Sequence, residues 1–332
     1  MDTRHPLPLL LLAAAFVGCR QDVPTSPEHR GPLFSAAQSS DAAWIVDDDG
    51  ADCPDAQFTS IQAAVDAAAP GDRILVCHGT YQEQVTITKN ELRLRAEGRR
   101  GDVVLDGLGL SVRFAGFLLD NAHGNLIEGF LVRNYHEAGI WLRAGSSGNT
   151  IRKNVTTAAD HDGIQVLASN DNRIEHNVAI DNFAANACGI QIAPGSQRNV
   201  VRHNRLVNNE WGIQIVGTAT APTRDNMISN NTSLGNRGNG IRNLGGTSGT
   251  LIEGNHAVRN GFTPSASTTG TTNAGIRIAS GSDIVVRLNQ VLDNLSVDLL
   301  NQAGDGATFA GNHCRSSSPS GLCERGRPST SP

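Results

Sequence analysis

The feature that most limits how this chain can fold is a repeat that starts near residue 117 and runs almost to the C-terminus. One element is Gly-Ile followed by an alternating pair: Gly139-Ile140-Trp141-Leu142, Gly163-Ile164-Gln165-Val166, Gly189-Ile190-Gln191-Ile192, Gly212-Ile213-Gln214-Ile215, Gly240-Ile241-Arg242-Asn243 and Gly275-Ile276-Arg277-Ile278. The glycines recur every 23 to 28 residues and once after 35. The second element is Asn-x-Ile/Val-x-x-Asn. It spans Asn149 to Asn154, Asn172 to Asn177, Asn199 to Asn204 and Asn226 to Asn231, with a weaker copy from Thr250 to Asn255. A further Asn follows at Asn182, Asn209, Asn236, Asn260 and Asn294.

A period of about 20–50 residues signals units that stack on one another. Leucine-rich repeats need a Leu consensus that is absent, and helical repeats need a 3.6-residue period. Gly-Ile-x-Ile alternates with period 2, so each unit carries two or three short strands separated by Gly/Asn turns. The isoleucines are expected to face inward, and the residue between them outward. The 36 Gly and 28 Asn fit a chain that turns often, with Asn tolerating the left-handed region and bonding to the coil above and below. The expected fold is all-β: a single right-handed parallel β-helix of roughly ten coils. Phe58, Ile61, Ala64, Val65 and Ala68 lie at helical spacing and Pro70-Gly71-Asp72 ends that run. A helix over residues 58–69 would cover the open end of the stack.

The first 43 residues read as an address. Leu7 to Val17 is an apolar run too short to span a bilayer, and it ends in Phe16-Val17-Gly18-Cys19. This resembles the lipobox of bacterial lipoproteins, which implies cleavage before Cys19 and acylation of that cysteine. The organisation expected is a signal peptide over 1–18, a Pro/Ser-rich tether over 19–43, the β-helix over 44–323 and a disordered tail over 324–332. Arg20 stands where lipoproteins held in the inner membrane carry Asp, so the resemblance implies export to the cell envelope, with the outer membrane favoured. A net charge of −5 and a pI near 6.0 argue against a nucleic-acid partner.

A second resemblance lies in the segment Thr59-Ser60-Ile61-Gln62-Ala63-Ala64-Val65-Asp66-Ala67-Ala68, then Pro70-Gly71-Asp72-Arg73-Ile74-Leu75-Val76 and Gly79-Thr80-Tyr81. Together with the repeats, it is similar to right-handed parallel β-helix proteins of the pectate-lyase-like superfamily. The resemblance implies the fold for residues 44–323. It leaves the activity open among lyase, epimerase, hydrolase and non-enzymatic roles. The Asp-Asp pair and Gly-His-Gly of polygalacturonase-type hydrolases are absent, as is the pectate-lyase Arg-x-Pro-x-x-Arg. Asp160-His161-Asp162 only loosely echoes the Asp-Pro-His-Glu of alginate epimerases.

Of six cysteines, Cys19 is assigned to lipid, which leaves five. In an oxidising compartment Cys53 with Cys77 would staple the helix to the first coil, and Cys314 with Cys323 would clasp the C-terminus. Cys188 is expected as a free, inward-packing thiol.

Superfamily enzymes work on one outer sheet face, where coils ~4.8 Å apart match the length of a sugar unit. The outward residues after each Gly-Ile are Trp141, Gln165, Gln191, Gln214, Arg242 and Arg277, a ring, amides and cations suited to an acidic sugar chain. Just before the glycines stand His136-Glu137, Asp160-His161-Asp162 and Glu210-Trp211. Asp160, His161, Asp162 and Glu210 are the candidate acid–base groups, and His136, Glu137 and Trp211 join the binding set. Asp47-Asp48-Asp49-Gly50-Ala51-Asp52 lacks the spacing of an EF-hand and reads as a solvated turn. No cofactor is required, and Ca²⁺ is a candidate ligand. The sequence therefore points to a monomer bound to the membrane by its acylated end that binds, or also processes, a polysaccharide or cell-surface glycan. A scaffold or adhesion module holding a protein partner is the alternative.

Overall fold

The computed structural model describes residues 43–262 and 273–324. The expected signal peptide, Cys19, the expected tether up to residue 42 and the expected tail from residue 325 lie outside these residues. Each repeat forms three short strands that pair in parallel with the same strands of the next repeat. The result is three long sheets of 11, 10 and 10 strands wound as a right-handed β-helix. In one coil, Thr150–Arg152 belongs to sheet 1, Ala138–Arg143 to sheet 2 and Val155–Thr157 to sheet 3. No helix among the described residues is long and apolar enough to cross a membrane.

The Gly-Ile elements are the strands of sheet 2, and their isoleucines stack in register. Ile140 pairs with Ile164, then Ile190, Ile213, Ile241 and Ile276. All are fully buried and join Ile151, Ile174, Val201 and Ile228 of sheet 1 in a single core. Each fully buried Ile contributes about 1.5–3 kcal/mol through loss of apolar surface from water.

The repeat asparagines bond to the coils above and below as expected, but they are not the residues that turn left-handed. The residue that takes the left-handed conformation is the one before each repeat Asn: Lys153, His176, His203 and Asn230 before Asn154, Asn177, Asn204 and Asn231. That turn aims the Asn side chain into the stack. There its Oδ1 accepts from the backbone N and the Nδ2 of the Asn one coil earlier, as Asn204 does from Asn177 at 2.9 and 3.0 Å. Its Nδ2 donates to a carbonyl one coil back and to the next Asn, so the amide is satisfied on both sides.

A helix, α1 (Ile61–Ala67), packs Ile61, Ala64 and Val65 into the N-terminal end of the core. It is shorter than the 58–69 span because Ser60 caps its N-terminus and Ala68 is already extended. Glu83 of the following coil accepts from Ile61 N and Gln62 N at 2.7 and 2.9 Å, tying the helix down. Disulfides join Cys53 to Cys77 and Cys314 to Cys323.

Candidate functional site

Sheet 2 presents two outward rows because its pairing steps over the glycine. Ala138 pairs with Asp162 and Ile140 with Ile164, with Gly139 and Gly163 unpaired between them. The glycine turns inward with the isoleucine that follows. A Cβ on Gly163 would stand 2.6 Å from Gly189 O and 2.6 Å from Thr156 Oγ1, so no other residue fits. The residue before the glycine is thereby returned to the outer face.

The row after Gly-Ile runs Leu118, Trp141, Gln165, Gln191, Gln214, Arg242, Arg277, Leu300. The row before the glycine contains Ala138, Asp162, Cys188, Trp211 and Ala274. Cys188 is a free thiol, but it does not pack inward with the core. Its backbone N donates to Asp162 Oδ1 at 2.8 Å, and Gln191 and Arg242 lie around its sulfur. Burial, and then Asp162, push this thiol well above its ordinary pKa. It is therefore a protonated packing group.

Six of the nine expected sugar-binding residues share one row, yet the row is not an open platform. Trp141 is 7% exposed, with Phe114 tilted against it at 5.0 Å and the Arg143 guanidinium 5.1 Å from its ring centre. Gln165 donates to Asp162 Oδ2 at 2.8 Å and to Gln191 Oε1 at 3.2 Å. Trp211 is 1% exposed because the Arg242 guanidinium lies 3.6 Å above its ring, so it serves as a bed for a cation and not as a stacking surface for a sugar.

The candidate acid–base groups separate into three places. Asp160 turns away from the row: Arg113 donates to it at 3.0 Å and His136 Nδ1 lies 3.1 Å away. With Arg113, Asn134, Asp181 and Phe183 it lines a cavity of about 640 Å³ beside the sheet. His161 and Asp162 stay together, Nδ1 lying 3.0 Å from Oδ2. Asp162 is fully buried and His161 about one-third exposed, so the imidazole is the accessible member. The Asp162 carboxylate raises the His161 pKa, burial opposes it, and Glu137 adds to the rise. A group so tuned holds its proton to higher pH and suits donation at neutral pH. Glu210 is fully buried two coils on, with Arg237 3.8 Å away.

Arg242 and Arg277 are the outstanding charges. On sheet 1 some outward arginines pair with carboxylates, as in Arg152–Glu128 at 2.9 Å and Arg202–Glu175 at 2.7 Å, while the exposed Arg93 and Arg173 form no ion pair among the described residues. Neither Arg242 nor Arg277 has such a partner among the described residues. Arg277 Nε donates to the Gln302 amide at 2.9 Å. Arg242 Nε and the neighbouring Gln214 Oε1 are buried without a hydrogen-bond partner. Burial lowers both guanidinium pKa values; for Arg242 the Arg277 charge adds to this, while Cys188 and the Asp162 carboxylate oppose it. Two adjacent cations with an unfilled N–H have the chemistry to meet an anion, whereas the free Gln214 Oε1 is suited to a hydroxyl or amide donor.

Among the described residues, two donor groups are tight enough to share one ion, and neither is on sheet 2. Cys53, Cys77 and Glu97 form one, but its sulfurs are in a disulfide; Asp47, Asp49 and Asp52 form the other. Asp49, Gly50, Ala51 and Asp52 are exposed, as expected of a solvated turn, but Asp47 at its start is fully buried. Sequence reasoning did not find Arg113, Phe114 and Phe183, which lie outside the repeat signature and reach the site only through stacking of coils.

A family model described as the right handed beta helix region matches residues 81–226. No curated protein sequence matches the chain. Among solved structures, an alginate lyase from Paenibacillus sp. str. FPU-7 is 18% identical, with a TM-score of 0.51, covering 76% of this chain and 92% of its own. The pectate lyase Pel9A is 16% identical, with a TM-score of 0.55, over 87% of this chain and 83% of its own. A double mutant of a periplasmic alginate epimerase is 17% identical, with a TM-score of 0.53, over 75% of this chain and 60% of its own. At these identities the likeness is one of fold.

Proposed function

We propose that the chain is an exported, lipid-anchored β-helix protein that binds an acidic, uronate-type polysaccharide along the outer face of sheet 2. The observation that carries this reading is the pair Arg242 and Arg277: adjacent in register, partly desolvated and without a carboxylate partner. A sugar carboxylate would take that place, with Gln214, Gln191 and Gln165 lining the path toward His161. Three steps of ~4.8 Å separate the His161 coil from the Arg242 coil, about the reach of three sugar units. The names of the similar structures refer to alginate and pectate, polymers of uronic acids, which supports the same substrate class. Two disulfides fit an oxidising compartment, and Phe16-Val17-Gly18-Cys19 supplies the anchor.

Calorimetric titration with oligouronates and with neutral oligosaccharides tests this. Uronate binding should weaken as salt rises and should fall at least tenfold in Arg277→Gln, while neutral chains bind weakly or not at all. Equal binding of neutral chains, or no effect of Arg277→Gln, would remove the acidic-polymer reading. The same samples report turnover as unsaturated or epimerised uronates. Turnover that His161→Ala abolishes while binding persists would extend the reading from binding to lyase or epimerase chemistry.

A further inference from the structure

We infer that the Asp47–Asp52 loop is a Ca²⁺ site that locks the N-terminal end of the β-helix. The starting observation is Asp47, which directly follows the first strand (Ala43–Val46) and is 0% exposed. One of its oxygens, Oδ2, accepts from the backbone N of Asp52 and of Cys53. The other, Oδ1, is buried and has no hydrogen-bond partner. A carboxylate oxygen withdrawn from water and given no donor is unfavourable unless a cation meets it.

The surroundings supply the remaining ligands and no competing cation. Oxygens of Asp47, Asp49 and Asp52 lie within 4.8 Å of one another, a spacing that one ion bound at about 2.3–2.6 Å from each can bridge. Among the described residues no Lys or Arg forms an ion pair with Asp47, Asp48, Asp49 or Asp52; the contact of this kind is His78 Nδ1, 3.3 Å from Asp52. The loop is held in place. Asp49 Oδ1 accepts from Ala51 N at 2.9 Å, Asp48 Oδ2 accepts from Thr80 N at 3.0 Å, and the Cys53–Cys77 disulfide begins one residue after Asp52. Carboxylates alone select a hard cation. An irregular loop with space for water on its exposed side suits the larger, more flexible shell of Ca²⁺ better than the strict octahedron of Mg²⁺. This site is at the far end from Arg242 and Arg277 and is independent of glycan binding.

The test uses the full chain with its disulfides intact, stripped with chelator and titrated with Ca²⁺ alone by calorimetry and by thermal unfolding. One ion per chain is expected, with the unfolding midpoint rising by roughly 5 °C at about a hundredfold excess over the dissociation constant. Mg²⁺ should bind at least tenfold more weakly. The double variant Asp49→Asn/Asp52→Asn spares buried Asp47 and should lose the Ca²⁺-dependent shift, whereas the exposed control Asp305→Asn should keep it. Absence of both heat and shift overturns the inference. So does a Ca²⁺ effect that survives in the double variant, because the ion would then be held elsewhere.

Discussion

Removing one amide from the middle of an Asn ladder tests the architecture most directly. Asn204 is almost fully buried and makes four side-chain hydrogen bonds. It accepts from Asn177 N and Nδ2 at 2.9 and 3.0 Å, and donates to Ile174 O and Asn231 Oδ1 at 2.8 and 3.0 Å. Asn204→Ala strands two buried donors on Asn177 and takes one bond from the Ile174 carbonyl. At roughly 1–3 kcal/mol for each buried group left unpaired, the loss should be about 3–5 kcal/mol. Equilibrium urea unfolding with disulfides intact measures it. Arg205→Ala, one residue on and exposed, should cost no more than about 0.5 kcal/mol. Asn204→Asp adds a sharper check. One of its oxygens would still accept from Asn177, but the other would face two acceptors, the Ile174 carbonyl and Asn231 Oδ1. The buried carboxyl would then bind its proton more tightly in the folded state than the ordinary ~3.9 of the unfolded chain. Its variant should therefore be most stable below about pH 4 and weaken as pH rises through the folded value. If Asn204→Ala matched Arg205→Ala, or Asn204→Asp showed no acid rescue, the ladder would not be the internal support described here.

Three further outcomes are expected. The raised His161 pKa means that its contribution to stability is complete below about pH 6.5 and is lost as pH rises through the folded value; His161→Gln should flatten that part of the stability–pH curve, and an unchanged curve would remove the His161–Asp162 interaction as its source. Cys188 should resist alkylation in the native protein and react fully in denaturant, since it is buried with its thiol held protonated; labelling at the native rate of an exposed thiol would contradict that placement. Cys19→Ser should abolish fatty-acid labelling and move the protein from membrane to soluble fractions, and an unlabelled wild type would dispose of the anchor.

The fold was readable because it is periodic. Ile164, Ile190 and Ile213 announce the same inward position three times, and a period of 2 within a period near 25 leaves few alternatives to stacked parallel strands. The outward row from Trp141 to Arg277 followed from the same register. The candidate acid–base set was less legible. Asp160, His161 and Asp162 are consecutive, yet Asp160 is drawn to Arg113 and His136 while Asp162 is buried against Cys188 N and Gln165. Sequence adjacency says nothing about which side of a turn each carboxylate takes.

The sequence by itself determined the stacking, the inward isoleucines, the buried asparagines and the cysteines available for bridging, because each depends on a local pattern repeated at fixed spacing. Only the tertiary structure decided that the glycine turns inward and returns Asp162, Cys188 and Trp211 to the outer face. It alone decided that Arg242 covers Trp211, that Phe114 covers Trp141, and that Asp47 is buried with an oxygen unpartnered. These are contacts between coils or across a folded loop. Whether a side chain is a platform, a ligand or a filler depends on what neighbouring turns place against it, and that information resides in their spatial meeting.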